Sequence, residues 1–162
     1  MSDIIDVAGY IVEKYSEVAG ETLDEMKLHK LLYFTQRESL AITGKPAFEG
    51  YFEGWKYGPV SPEVRTAFVS GEIIFPVSEV PDAIKYIANN VIAEYGVLTS
   101  WKLSELSHKE ISWRNARKGL SPEEIGNRRL SLDDIKEDAK KVRPYDHVWD
   151  MYYDEFQTEE VQ

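Results

Sequence analysis

The chain has 162 residues, of which 43% are hydrophobic and 30% charged, with a formal net charge of −10. That length suits one domain with a true core, and an aromatic content of 12% excludes a disordered chain. The lack of cysteine excludes disulfides, thiolate zinc sites and cysteine nucleophiles together, and the acidity argues against a nucleic-acid binder, which needs local positive potential.

The opening residues, "MSDIIDVAGYIVEKY", carry acids and amphipathic spacing rather than a basic start and an apolar block, so no signal peptide is expected. No apolar run is long enough to span a bilayer. Together these features lead to the expectation of a soluble, cytoplasmic protein. Within the opening segment Ile4, Ile5, Ala8, Ile11, Val12 and Tyr15 share one helical face, and Gly20 stops the helix. Thr22 then opens a second helix, with Glu25 three residues on completing a capping box. Leu28, Leu31, Leu32, Thr35 and Ile42 continue one stripe, widened by Phe34 and Leu40, until Gly44 and Pro46 end it.

From Phe48 to Tyr57 aromatics are dense and Gly50 and Gly54 interrupt, which predicts one or two short extended pieces. In "GWKYGPVSPEV", Trp55 and Tyr57 have the spacing of one strand face, and Gly58-Pro59 supplies the corner. Ser61 caps the next helix, with Pro62 at its first position, and that helix stops near Gly71. A further helix carries Pro81 early, the stripe Ile84, Ile87, Ala88, Val91 and Tyr95, and a stop at Gly96. Thr99 or Ser100 caps the following one, with Leu103 and Leu106 facing inward. "SPEE", Ser121 to Glu124, predicts a capping box with proline at the first helical position. "RLSL" is extended and precedes a helix, and beyond Pro144 lies an amphipathic piece with Val148, Trp149, Tyr152, Tyr153 and Phe156.

Chemistry is sparse. His29, His108 and His147 do not pair at metal-ligand spacing, and neither "HExxH" nor "GxSxG" occurs. His108 lies beside a helix end, where a donor to a carbonyl is useful. Asp133 and Asp134 sit where acids favour a helix N-terminus. The segment from Ser100 to Arg143 is mildly basic, and "WRNARKG" with "NRR" contains Arg and Asn side chains that could read base edges, but no helix-turn-helix frames them.

Two stretches carry a resemblance. "LHKLLYFTQRESLAITGKPAFEGYFEGWKYGPVSPEV", residues 28 to 64, resembles the Panacea domain, the SocA-like antitoxin family, whose pattern runs K-L-x-K-L-L-Y-F-x-Q, a Gly-Lys-Pro turn, a phenylalanine-rich stretch and W-x-Y-G-P-V-x-P. Leu31, Leu32, Tyr33, Phe34, Gln36, Gly44, Pro46, Trp55, Tyr57, Gly58, Pro59, Val60 and Pro62 fall in place, whereas His29 and Arg37 depart from it. "LSELSHKEISWRNAR", residues 103 to 117, is similar to a second segment of the family, in the expected order.

The resemblance, which covers about residues 4 to 140, implies a mainly α fold with a small sheet; with the pattern of helices it gives the expectation of one compact domain over residues 1–162, of six or seven helices and a small hairpin or sheet, with the amphipathic piece at 145–162 as a C-terminal helical extension. It implies an antitoxin that neutralises a cognate toxin encoded beside it, as many phage and mobile-element members do. Recruitment of a protease, which one member performs, is left open, as is a homodimer. No cofactor, metal or catalytic residue is expected. Trp55, Lys56, Tyr57, Pro59, His108 and Trp113 are the expected partner-binding residues; the blander role for Trp55 and Tyr57 is packing the β element onto the helices. Two other readings stand beside this one: a transcriptional regulator of its own operon that binds DNA through Arg114 to Arg129, and an enzyme built around His108.

Overall fold

The computed structural model describes residues 2–73 and 79–143. The expected C-terminal extension, with His147, Val148, Trp149, Tyr152, Tyr153 and Phe156, lies outside the described residues. Within them are seven helices and two sheets of two short strands each, the mainly α architecture expected. No described helix is long and apolar enough to cross a membrane.

Helix α1 (Ile4–Ala19) is capped by the Asp3 carboxylate, which accepts from the Ile5 N–H, and ends at Gly20 in the left-handed region. Helix α2 (Glu25–Thr43) ends the same way at Gly44. Its start corrects the expected capping box. Asp24 is the N-cap, its carboxylate accepting from Lys27 N at 2.8 Å, while Glu25 turns to His29 and Arg65. A charged acceptor at the positive end of the helix outcompetes the Thr22 hydroxyl.

The sequence stripe also understates α2. Every residue from Lys27 to Leu40 is buried, polar ones included, because α2 runs through the middle of the fold against α1, α3 (Pro62–Val69), α4 (Asp82–Tyr95), α5 (Ser100–Ser107) and α7 (Leu132–Ala139). Ile42, placed on the stripe, is instead at the exposed end of the helix. The central position requires each polar side chain of α2 to find a partner. Lys27 Nζ donates to the Gly96 carbonyl at 2.9 Å. Gln36 clamps the strand that follows, Nε2 donating to Phe48 O and Oε1 accepting from Ala47 N. Arg37 pairs with Glu110 at 2.8 Å. Phe34 stacks on Tyr95, with ring centroids 4.4 Å apart.

The strands are short. β1 (Ser2–Asp3) pairs in parallel with β2 (Phe48–Glu49), and β3 (Glu53–Trp55) pairs antiparallel with β4 (Gly58–Val60), Trp55 opposite Gly58. The Ser61 hydroxyl caps α3 by accepting from Val64 N, with Pro62 at the first position as expected. Pro81 is the N-cap residue of α4 rather than a residue inside it. Thr99 caps α5, and α6 (Ile111–Ala116) follows.

"SPEE" is a turn, not a helix: Glu124 N donates to Ser121 O. The reason lies in Arg117. Its guanidinium donates to the carbonyls of Gly54, Ser121, Glu124 and Ile125, so the carbonyls of this segment face a buried cation instead of the next helical turn.

Candidate functional site

The β3–β4 hairpin turns on two residues, Lys56 and Tyr57, which corrects the expectation of a Gly58-Pro59 corner. Gly58 opens β4 instead, with φ +124, and a Cβ there would lie 2.5 Å from Ser107 Oγ and 2.6 Å from Lys30 Cε. Only glycine accepts that backbone angle and that contact. Trp55 and Tyr57 therefore do not share a strand face.

The helices α5 and α6 hold the hairpin from below. Ser104 Oγ donates to Tyr57 O at 2.8 Å, Trp113 Nε1 donates to Trp55 O at 2.8 Å, and Arg117 reaches Gly54 O at 3.0 Å. His108, at the C-terminal cap of α5, stacks flat on Trp113 with centroids 4.1 Å apart. Burial, and then the nearby Lys30 charge, hold the His108 imidazole below its ordinary pKa. On the far edge, Gly54 N donates to Arg128 O and Leu130 N to Phe52 O.

These contacts sort the expected partner-binding residues. Pro59 is buried, and its carbonyl accepts from Lys30 Nζ at 3.4 Å. His108 and Trp113 are half-buried and brace the hairpin. Trp55 is half-buried, its indole N–H donating to Glu53 Oε1 at 2.9 Å. Lys56 reaches Glu123 at 3.0 Å across the surface. Tyr57 stands out at 41% exposed, tilted toward Trp101, which is 62% exposed; neither is core. Three arginines of the Arg114 to Arg129 segment have partners within the chain. Arg114 donates to His108 O, Arg128 to Lys118 O, and Arg129 lies over the Tyr51 ring.

Beside the corner is a groove of about 440 Å³ that the sequence did not announce. Trp55, Tyr57, Val60, Met26 and Ile125 give it mainly apolar walls, and Glu25, His29, Lys30, Lys56 and Arg65 supply its polar groups. His29 Nδ1 accepts from Ser61 N at 3.2 Å, so the ring proton is on Nε2 and is donated to Glu25 at 3.0 Å. Burial pulls the His29 pKa down to about 4, outweighing the Glu25 carboxylate, and the ring is neutral at pH 7. Burial works against the Glu25 charge, yet hydrogen bonds from His29 and Arg65 bring its pKa below the usual value. Lys30 is 1% exposed, and burial lowers its ammonium to about 8 although Asp24 and Glu25 act the other way.

Comparison with known proteins fits these two converging segments. The family model "Antitoxin SocA-like, Panacea domain" matches residues 28–114, from the first turns of α2 into α6. The chain belongs to that family. Antitoxin SocA of Caulobacter vibrioides (strain NA1000 / CB15N) is 44% identical over 46 residues, a stretch covering 28% of this chain and 24% of that relative. This chain thus spans about a quarter of that relative's length in the match. No solved structure gives a significant match. Within the Panacea domain the motif residues now have stated work. Gln36 clamps the strand after the Gly-Lys-Pro turn, Gly58 lets the hairpin meet α2 and α5, and Tyr33 ties α2 to the carboxylates of α6 and α7.

Proposed function

We propose that this Panacea-domain protein is an antitoxin that neutralises a toxin encoded beside it by direct, stoichiometric binding. The contact face is the hairpin corner, with Lys56, Tyr57 and the exposed edge of Trp55 at its centre. The observation that carries this is the apolar surface around the corner: Tyr57, Trp101 and Ile125 are 41%, 62% and 68% exposed. Large aromatics left in solvent on and beside a hairpin turn that neighbouring side chains hydrogen-bond are the composition of a protein-binding hot spot. His108 and Trp113 act through the hairpin, fixing its backbone. No bond is made or broken, and delivery of the bound toxin to a protease would be a later step.

The test is co-expression with the protein product of the adjacent reading frame. Growth rescue and co-purification as one complex are expected. Tyr57→Ala with Trp101→Ala should lose rescue while leaving the thermal midpoint within a few degrees. Rescue that survives this pair would remove the corner from the contact face, and rescue with no complex would remove direct binding.

A further inference from the structure

The groove beside the corner holds a buried lysine that forms no salt bridge among the described residues, although Asp24 and Glu25 lie near enough to favour its charge. Of the groove's charged groups, Arg65 is paired with Glu25 at 2.8 Å and Lys56 with Glu123 at 3.0 Å. Lys30 has no carboxylate within salt-bridge distance among the described residues, and its Nζ has one long contact, 3.4 Å to Pro59 O. An ammonium has three N–H donors. Burying one with donors to spare costs free energy that an apolar side chain would not. Two neutral donors in the groove are committed, His29 Nε2–H to Glu25 and Trp55 Nε1–H to Glu53.

We propose that this groove is a receptor for one acidic side chain of the toxin, a glutamate or aspartate flanked by apolar residues, with Lys30 as its counter-charge. The inference rests on the antitoxin reading and names the partner chemistry at the same face. Three observations select this occupant. The walls are Trp55, Tyr57, Val60, Met26 and Ile125, so a backbone entering the groove would strand its N–H and C=O groups, whereas a side chain with an aliphatic stem would not. One ammonium with spare donors suits a carboxylate, while a phosphate, with three strong acceptor oxygens and up to two charges, calls for more. The volume of about 440 Å³ lies at the low end for a ligand pocket, room for a side chain or two. The apolar neighbours on the toxin would rest on Tyr57, Trp101 and Ile125.

The experiment is a double-mutant cycle on the complex with the adjacent-gene toxin. Lys30→Met should leave the thermal midpoint of the free antitoxin unchanged or raise it, and weaken toxin binding by about 10–100-fold. Each toxin Asp or Glu on the contact face is then changed to Asn or Gln. One of these changes should weaken binding to the wild-type antitoxin by a similar factor and have little further effect in the Lys30→Met background. Several results overturn the proposal. They are wild-type affinity in Lys30→Met, a midpoint that falls in step with affinity, and no toxin carboxylate that couples to Lys30. Self-association of the antitoxin lost on Lys30→Met would assign the groove to a second copy instead. Lys30→Gln, which removes the charge and keeps a polar end, runs the same cycle as a second variant, and absence of coupling in both overturns the proposal. Failure of the wild-type proteins to bind at all would sink the antitoxin reading itself, a separate outcome.

Discussion

His29 is a histidine that the fold keeps neutral, and this has a measurable consequence. One ring nitrogen accepts a backbone N–H and the other donates to Glu25, while burial lowers the pKa from its ordinary 6.5 to about 4. Between those values the unfolded chain binds the proton and the folded chain does not. Stability is therefore full above about pH 6.5 and falls as the pH drops toward 4. At about 1.4 kcal/mol per pH unit, the loss near pH 4.5 is roughly 2–3 kcal/mol. Urea denaturation at pH 7.5 and pH 4.5 measures it: wild type should lose roughly that much more than His29→Gln, and parallel losses would contradict the neutral buried ring. At this scale the sequence was least informative. A lysine and a histidine side by side in "LHKLLYF" look like a solvated edge, because the sequence cannot show that α2 has neighbours on every side. The available signal was that His29, Lys30, Thr35 and Gln36 fall around the whole helix, leaving no polar face. Arg117 was hidden for a related reason: a guanidinium that serves four carbonyls and one that reads a nucleic acid look alike in a string of letters.

Among the elements, α6 shows how one helix can cap another. Glu110 occupies its N-cap position but makes no capping bond, since its carboxylate pairs with Arg37, Tyr33 and Lys141. The cap comes instead from Asp138 of α7, which accepts from Ile111 N at 2.7 Å and Ser112 N at 2.9 Å and from the Tyr33 hydroxyl at 3.1 Å. Asp138 is fully buried, so losing it strands two backbone N–H groups. Asp138→Ala should cost about 3 kcal/mol in chemical denaturation, with faster hydrogen exchange through α6, and the exposed Asp133→Ala less than about 0.5 kcal/mol. Equal effects would contradict the shared cap. The elements themselves were readable where local chemistry decides. Gly20 and Gly44 end their helices, Ser61-Pro62 and Thr99 begin theirs, and β2 and β3 lie within the aromatic stretch, with β4 just beyond it. They were misread where a distant side chain decides. Asp24 displaced Thr22 as cap, and Arg117 holds "SPEE" as a turn against a pattern that reads as a helix start.

For the molecule as a whole, the two motif-bearing segments meet at one place: α5 and α6 donate to the backbone of the β3–β4 hairpin, and α2 lies behind it. The hairpin was legible as a motif, and so was the family. The groove was not, because its walls come from α2, the hairpin, α3 and the loop at Ile125, which only the fold brings together. On the reading proposed above, the aromatic corner and the groove beside it, with Lys30 in its wall, together occupy a partner's surface. The most direct test of that claim is a titration of toxin activity against added antitoxin. Residual activity should fall in a straight line and reach zero at one fixed molar equivalence, recovering when the complex is dissociated. Complete and lasting inactivation by a small fraction of an equivalent would mean turnover, and would contradict the account.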